Sequence, residues 1–260
     1  MQSLLQKTRS ILHLFQQRSG GSGDFGDVAG LLRESLSCNV LILNRKGELL
    51  GVAPACDSGC EIMKTDILGA GRVPFDYNDR LLLMEETVNN LPQDSARCVF
   101  CRDKACDSAD RMTTVVPVTG DGERLGTLVL NRQGNGFGEA DLVIAEYTAM
   151  IMAMKMLRSA AVEAEEEGRK RAAVEVALGT LSYSEMEAVH HIFDELNGTE
   201  GFLVASKIAD RVGITRSVIV NALRKFESAG VIESRSLGMK GTFIRVLNDK
   251  LVEELARSRR

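Results

Sequence analysis

The chain has 260 residues, of which 44% are hydrophobic and 26% charged, values that exclude a disordered or fibrous protein and favour two globular domains. Residues 201–260 contain 12 Lys and Arg against 6 Asp and Glu, whereas the first 200 residues contain 20 against 30, so a polyanion is expected to meet only the C-terminal part. Aromatic residues make up 5% and Trp is absent, which argues against an aromatic platform that stacks bases or sugars.

No targeting or membrane segment is predicted. Met1–Gln17 mixes Lys7 and His13 into its apolar residues and so lacks the continuous apolar core of a signal peptide. The longest apolar stretch, Tyr147–Leu157, contains Lys155 and is too short to span a bilayer. We therefore expect a cytoplasmic protein in which the six cysteines are thiols or metal ligands rather than disulfides.

The first half of the chain alternates between helical and extended patterns. Helices are predicted within Met1–Gln17, at Phe25–Leu36, near Glu61–Gly69 and near Asp79–Asn90, and strands at Cys38–Asn44, Glu48–Ala53, Thr113–Val118 and Arg124–Asn131. The turns Arg45–Gly47 and Thr119–Gly122 indicate two hairpins. An antiparallel sheet with flanking helices and a loop-rich middle is typical of small-molecule sensor domains of the GAF or PAS kind.

Residues 138–178 predict one long helix. Its charged part carries three i,i+4 pairs of favourable order, Glu165 with Arg169, Glu166 with Lys170 and Glu167 with Arg171. These pairs favour an exposed connecting helix. The Met-rich part that precedes them could instead be a dimer face.

The C-terminal pattern predicts a winged helix-turn-helix and makes the whole chain α+β. The helix Tyr183–Leu196 starts with Ser184 and Glu187 at capping-box spacing. The helices Val204–Val212 and Thr215–Ala229 then flank Gly213, a position that favours positive φ. The strands Val231–Arg235 and Thr242–Val246 form a wing.

The outward side chains of this domain are the candidate DNA contacts. Thr215 can also cap the second helix through its hydroxyl. Such folds also serve as protein-interaction modules, but the basic charge favours DNA. The candidate contacts are Ser206, Lys207, Thr215, Arg216, Ser217, Asn221, Arg224 and Lys225 from the two helices, and Arg235 and Lys240 from the wing.

Four segments resemble the CodY family of nutrient-responsive global transcriptional repressors of low-GC Gram-positive bacteria. They are Leu203–Lys240, Leu181–Glu187 (LSYSEME), Glu123–Leu130 (ERLGTLVL) and Leu5–Arg9 (LQKTR). The resemblance covers nearly the whole chain and is closest in the DNA-binding half. It implies a GAF domain at residues 1–155, a linker helix at 156–182, a winged helix-turn-helix at 183–260, and a homodimer.

The resemblance also implies effectors and a kind of operator. In that family isoleucine, leucine and valine bind the GAF domain and GTP is a second effector. In the family, the branched-chain amino acids and GTP both enhance binding to AT-rich inverted repeats near genes repressed during growth. These genes include stationary-phase, nitrogen and amino-acid metabolism genes. No further cofactor is required.

The family's effector pocket can be carried over by position. An Arg on the helix after the second strand corresponds to Met63, and Met residues correspond to Lys64 and Ile67. A second segment of the family's pocket corresponds to residues 98–102 of this chain, where only Phe100 matches the family. The cation for an amino-acid carboxylate would come from Lys64, Arg72 or Arg102. The candidate effector residues are Met63, Lys64, Ile67, Arg72, Cys98, Phe100, Cys101 and Arg102.

Five of the six cysteines fall in two clusters in this region. Cys98, Cys101 and Cys106 have C-x2-C-x4-C spacing, and Cys56 and Cys60 lie ahead of the altered helix. Thiolates at such spacing can bind Zn or an iron–sulfur cluster. A pocket re-purposed as a metal or redox sensor, with the same DNA-binding output, is therefore the alternative. Buried cysteines that pack as small apolar residues, as expected for Cys38, are the plainer interpretation.

Enzymatic activity is not expected. The three histidines, His13, His190 and His191, form no evident Ser/His/Asp grouping. The segment Gly120–Gly126 lacks the Lys-Ser/Thr of a phosphate-binding loop, so a hairpin turn is favoured. Ser217 lies in the first turn of the recognition helix, where a phosphate of about −2 charge should abolish DNA binding.

Overall fold

The chain divides into two compact units, Met1–Ala160 and Ala161–Arg260. The computed structural model describes residues 3–17, 25–54, 67–92, 100, 111–196, 198–238 and 241–259. Both units combine helices with an antiparallel sheet, so the fold is α+β as predicted. None of the helices in these ranges is long and apolar enough to cross a membrane.

The first unit is built on a five-stranded antiparallel sheet of order β2-β1-β5-β4-β3. Its elements are α1 (Leu4–Gln17), α2 (Phe25–Leu36), β1 (Asn39–Asn44), β2 (Leu49–Ala53), α3 (Leu68–Ala70), α4 (Phe75–Leu82), β3 (Val88–Pro92), β4 (Arg111–Gly120), β5 (Glu123–Gln133) and the first part of α5 (Glu139–Gly179). Both predicted hairpins are present. Asp121 and Gly122 take positive φ angles of 53° and 76°, as a two-residue hairpin turn requires, so the glycine-rich segment is a turn.

The sheet buries different residues on its two faces because strand side chains alternate. On one face Leu128 and Leu130 of β5 join α1, α2 and α5 in the main core. On the other face Val129 joins a second group, here called the outer cluster. It consists of Leu41, Leu43, Ile67, Val73, Tyr77, Leu81, Val115 and Val129, with Phe100 packed against it.

The predicted helix near Asp79–Asn90 is wrong in its second half, because α4 ends at Leu82 and β3 begins at Val88. Side chains fix this strand. Thr114 Oγ1 donates to Asn89 Oδ1 at 2.7 Å, and Asn90, at φ 53°, binds both the backbone N–H and the carbonyl of Phe137. Of the predicted helix near Glu61–Gly69, only the end is described, where α3 begins at Leu68.

In the second unit, helices pack against a three-stranded sheet of order β6-β8-β7. Its elements after α5 are α6 (Tyr183–Leu196), β6 (Glu200–Leu203), α7 (Ala205–Val212), α8 (Arg216–Ser228), β7 (Ile232–Ser236), β8 (Thr242–Val246) and α9 (Lys250–Ser258). The predicted helix-turn-helix and wing are present. Strand β6 was not predicted. The core includes Val189, Ile192, Ile208, Ile219, Phe226, Ile244 and Leu251.

Residues 139–179 form one helix, as predicted, but the last turns of α5 belong to the core of the second unit. Val174 and Ala177 are fully buried there. Lys170 pairs with Asp249 at 3.4 Å and Arg171 with Glu254 at 3.1 Å. The predicted i,i+4 pairs with Glu165, Glu166 and Glu167 are not formed, and Asp249 and Glu254 are the partners of Lys170 and Arg171 instead.

The capping box of α6 lies two residues earlier than predicted. The Ser182 backbone N–H donates to Glu185 Oε2 at 2.7 Å, and the Glu185 N–H donates to Ser182 Oγ at 3.4 Å. Ser184 and Glu187 have the same spacing but lie inside the helix. The helix therefore starts at Tyr183, with Thr180–Ser182 between it and the end of α5.

Candidate DNA-binding surface and effector pocket

The turn between α7 and α8 has the geometry that the sequence predicts. Gly213 takes a φ of 74° and ends α7, with its N–H bound to the Ala209 carbonyl at 2.9 Å. Ala209 is buried between the helices. A side chain at Gly213 would have open space but a strained backbone. The crossing of the two helices thus depends on this glycine.

Helix α8 has one buried and one polar face. Ile219, Ala222, Leu223 and Phe226 are buried. Ser217, Asn221 and Arg224 are exposed at spacings of four and three residues, which places them on one face, opposite the core. Three further predicted contacts are also exposed, Arg216 at the start of α8 and Ser206 and Lys207 at the start of α7.

Three of the basic side chains of the two helices carry uncompensated charge. Lys207, Arg216 and Arg224 form no ion pair among the residues that the structure describes. In the wing, by contrast, Arg235 pairs with Glu233 at 2.8 Å. Free cations bind phosphates without first giving up a partner, so these three side chains of α7 and α8 are the better candidates for phosphate contacts.

Two predictions for these helices need correction, the free outward charge of Lys225 and the cap by Thr215. The Lys225 ammonium donates to Glu185 Oε2 at 2.7 Å and to the Thr180 carbonyl at 2.8 Å, so it is paired within the unit rather than a free cation, although its side chain is 38% exposed. Thr215 precedes α8 but its hydroxyl contacts Ser217 Oγ at 2.8 Å and makes no backbone cap. Lys240, predicted in the wing, lies outside the described residues.

The outer cluster brings together two of the predicted effector residues. Ile67 is buried in it, and the ring of Phe100 meets Tyr77 edge-on with centroids 5.0 Å apart. Burial raises the pKa of Tyr77 to about 12, so its phenol is neutral. Arg72 adjoins the buried Val73, and its guanidinium lies 4.0 Å from the centroid of the Phe75 ring. The other predicted effector residues, Met63, Lys64, Cys98, Cys101 and Arg102, lie outside the described residues.

Arg124 has a role at this site that the sequence did not indicate. Its guanidinium donates to the carbonyls of Met84 at 2.7 Å and Leu81 at 3.2 Å, and to Thr127 Oγ1 at 2.9 Å. Burial lowers its pKa. The side chain fastens the end of α4 to β5, and so holds one wall of the outer cluster to the sheet.

The cysteine prediction is tested at one position. Cys38 is fully buried, and this burial raises the pKa of its thiol to about 12, as expected for a packing residue. Cys56, Cys60, Cys98, Cys101 and Cys106 lie outside the described residues. Within the described part of the chain, no group of three His, Cys, Asp or Glu side chains could hold a metal ion.

Comparison with known families agrees with this architecture. The model of the CodY GAF-like domain matches residues 3–180, and that of the CodY helix-turn-helix domain matches residues 199–259. The chain belongs to the CodY family. Family membership confirms the resemblance and makes the protein a DNA-binding transcriptional regulator rather than an enzyme.

Relatives match over almost the full length. The global transcriptional regulator CodY of Clostridium beijerinckii is 57% identical over 255 residues, 98% of each chain. That of Clostridium botulinum strain Okra is 55% identical over the same share. Among solved structures, the cofactor-binding GAF domain of the nutrient sensor CodY from Clostridium difficile is 34% identical, with a TM-score of 0.45, over 60% of this chain and 99% of that chain.

Proposed function

We propose that the protein is a homodimeric global repressor that binds AT-rich inverted repeats and responds to nutrients. Isoleucine, leucine or valine would occupy the GAF domain, with GTP as second effector. Its targets would be stationary-phase, nitrogen and amino-acid metabolism genes. The observation that carries the proposal is the exposed polar face of α8, flanked by cations without ion pairs.

The residue types on this face suit recognition of duplex DNA. Asn and Arg side chains form paired hydrogen bonds with adenine and guanine edges in the major groove. Ser206 and Lys207 lie at the start of α7, where backbone N–H groups also favour phosphate oxygens. Two such units in a dimer would meet two half-sites about one helical turn apart, which explains an inverted repeat.

The outer cluster suits a branched aliphatic ligand. Such a side chain would have to pack among the buried Ile67, Leu81 and Val129, next to Phe100. The ligand carboxylate needs a cation, and Arg72, Lys64 and Arg102 are the candidates. For GTP the proposal rests on family membership alone, because the hairpin turn at Gly120–Glu123 removes the glycine-rich segment as a phosphate-binding loop.

The decisive measurement is operator affinity at one fixed salt concentration, with and without isoleucine, on protein purified under nitrogen. Several-fold tighter binding with isoleucine supports the amino-acid effector. Ile67→Ala should weaken this response. Ile11→Ala is the matched control, since Ile11 is as deeply buried as Ile67 but belongs to the main core and not to the outer cluster.

Unchanged affinity would contradict the amino-acid effector and turn attention to the clustered cysteines. Metal and acid-labile sulfide analysis of the same anaerobic protein then tests the alternative sensor. If neither metal nor acid-labile sulfide is found, the metal-sensor alternative is excluded. The DNA-binding output would stand in either case.

A further inference from the structure

Lys225 is the residue of α8 whose geometry departs most from its predicted role. Its ammonium joins three elements, since Thr180 follows the last residue of α5 and Glu185 lies in the first turn of α6. We propose that Lys225 is a positioning residue for DNA binding. It fixes the rotation of the recognition helix against α5 and α6, and contacts no phosphate itself.

The acceptor carboxylate is held rigidly. Glu185 Oε2 receives both the Ser182 backbone N–H and the Lys225 ammonium, each at 2.7 Å. The Glu185 side chain is only 10% exposed. The hydrogen bond from Lys225, together with that from Ser182, holds the pKa of this carboxyl below its usual range, so it is charged near neutral pH. A charge-assisted bond to such a fixed, shielded group is stronger than an exposed ion pair.

The second acceptor lies at the end of the longest helix. The last carbonyls of a helix have no partner within it and carry partial negative charge. The Thr180 carbonyl, one residue beyond α5, is satisfied by Lys225. Displacement of this end of α5 would therefore pull directly on α8.

The bond acts close to the proposed DNA-contacting side chains of α8. Lys225 follows Arg224 directly and Asn221 by one turn. A helix with side chains has a radius of about 6 Å, so a rotation by about 10° moves a side-chain tip by about 1 Å. That shift is enough to weaken hydrogen bonds to base edges, whose lengths vary over only a few tenths of an ångström.

Salt dependence separates positioning from phosphate contact. For full-length Lys225→Met we expect about tenfold weaker binding to an AT-rich inverted-repeat duplex, with the slope of log K against log salt unchanged. Arg224→Met is the matched control from the same helix. Its affinity should fall and its slope should shrink by about 0.9, the value for one lost phosphate contact.

Three further variants complete the test. Glu185→Gln, which can keep its bond from Ser182, should lose part of the affinity that Lys225→Met loses, because Lys225 keeps its bond to the Thr180 carbonyl. The double variant should be no weaker than Lys225→Met alone. Lys225→Arg should retain most of the affinity. If Lys225→Met does not fold by circular dichroism, the slope of Glu185→Gln carries the test.

Several results would overturn the proposal. One is a reduced slope in Lys225→Met or, where that variant does not fold, in Glu185→Gln. Another is a double variant in which the losses of the two single variants add. The last is an affinity of Lys225→Met equal to that of the unaltered protein. The proposal rests on the proposed operator class, which is checked first. If the unaltered protein does not prefer the inverted repeat, the operator class fails, and the same variants are compared on the duplex that it binds most tightly.

Discussion

The side-chain hydroxyls of Thr215 and Ser217 lie 2.8 Å apart at the start of α8. Both are exposed, and Ser217 shares the polar face of the helix with Asn221 and Arg224. A phosphoryl group there would add about −2 charge where DNA phosphates approach. We predict that Ser217→Glu weakens operator binding at least tenfold, whereas Ser217→Ala has a small effect. Fluorescence anisotropy with a labelled duplex measures both.

The control is Ser184→Glu, which adds the same charge at an exposed position of α6. Its operator affinity should stay near that of the unaltered protein. Normal binding by Ser217→Glu would refute a kinase switch at this position.

Two asparagines of the second unit separate stability from recognition. Asn248 is buried, donates to the Lys170 carbonyl at 2.8 Å and accepts the Lys250 N–H at 3.0 Å. Asn248→Ala should lower the free energy of unfolding by about 1–2 kcal/mol with unchanged operator contacts. Asn221→Ala should leave unfolding unchanged and weaken specific binding by about 1–3 kcal/mol. Urea unfolding and operator titration of both variants check this, and equal unfolding shifts would contradict it.

Cys38 is expected to be chemically inert in the folded protein. Its thiol is fully buried, and its raised pKa leaves almost no thiolate near neutral pH. Iodoacetamide should label Cys38 only after denaturation, as read by peptide mass spectrometry. Labelling of Cys38 in native protein within minutes would show that β1 opens readily.

The contact between α6 and α9 should depend on pH. His190 Nε2 lies 3.0 Å from Ser258 Oγ, and burial, followed by the charge of Arg259, lowers the pKa of His190. The folded unit thus prefers the neutral ring. The contribution of neutral His190 to stability is fully present above the ordinary histidine pKa of about 6.5. It is lost as pH falls through the lower pKa that His190 has in the folded protein.

Hydrogen exchange of α9 amides should therefore accelerate, relative to the intrinsic rate, as pH falls below about 6. His190→Asn should reduce this dependence. If the variant and the unaltered protein respond alike, another group controls the docking of α9.

Much of the fold was predictable because its signals are local. The hairpin at Gly120–Glu123, the long helix α5 and the turn at Gly213 each follow from residues within a few positions. Strand β3 was missed because Asn89 and Asn90 lack strand propensity, and bonds to Thr114 and Phe137 hold them. Strand β6 was missed because four residues carry too little pattern, although Phe202 packs on Phe243 across the sheet.

The candidate site was predictable to the extent that it lies on one helix. The periodicity of α8 identified its exposed face. It could not show that Lys225 turns inward, because the partner, Glu185, is 40 residues away in sequence. The same limit applies to Arg124, whose acceptors Leu81 and Met84 are as distant.

The alternation along β5 limits how the proposed effector preference could change. Leu128 and Leu130 face the main core while Val129, between them, faces the outer cluster. Insertion or deletion of one residue in this central strand would exchange the two sets and destroy both. A new effector preference would therefore arise by substitution at positions that face the outer cluster. Changes in length would be tolerated in the connections at residues 54–67 and 93–110. Those connections also contain seven of the eight predicted effector residues.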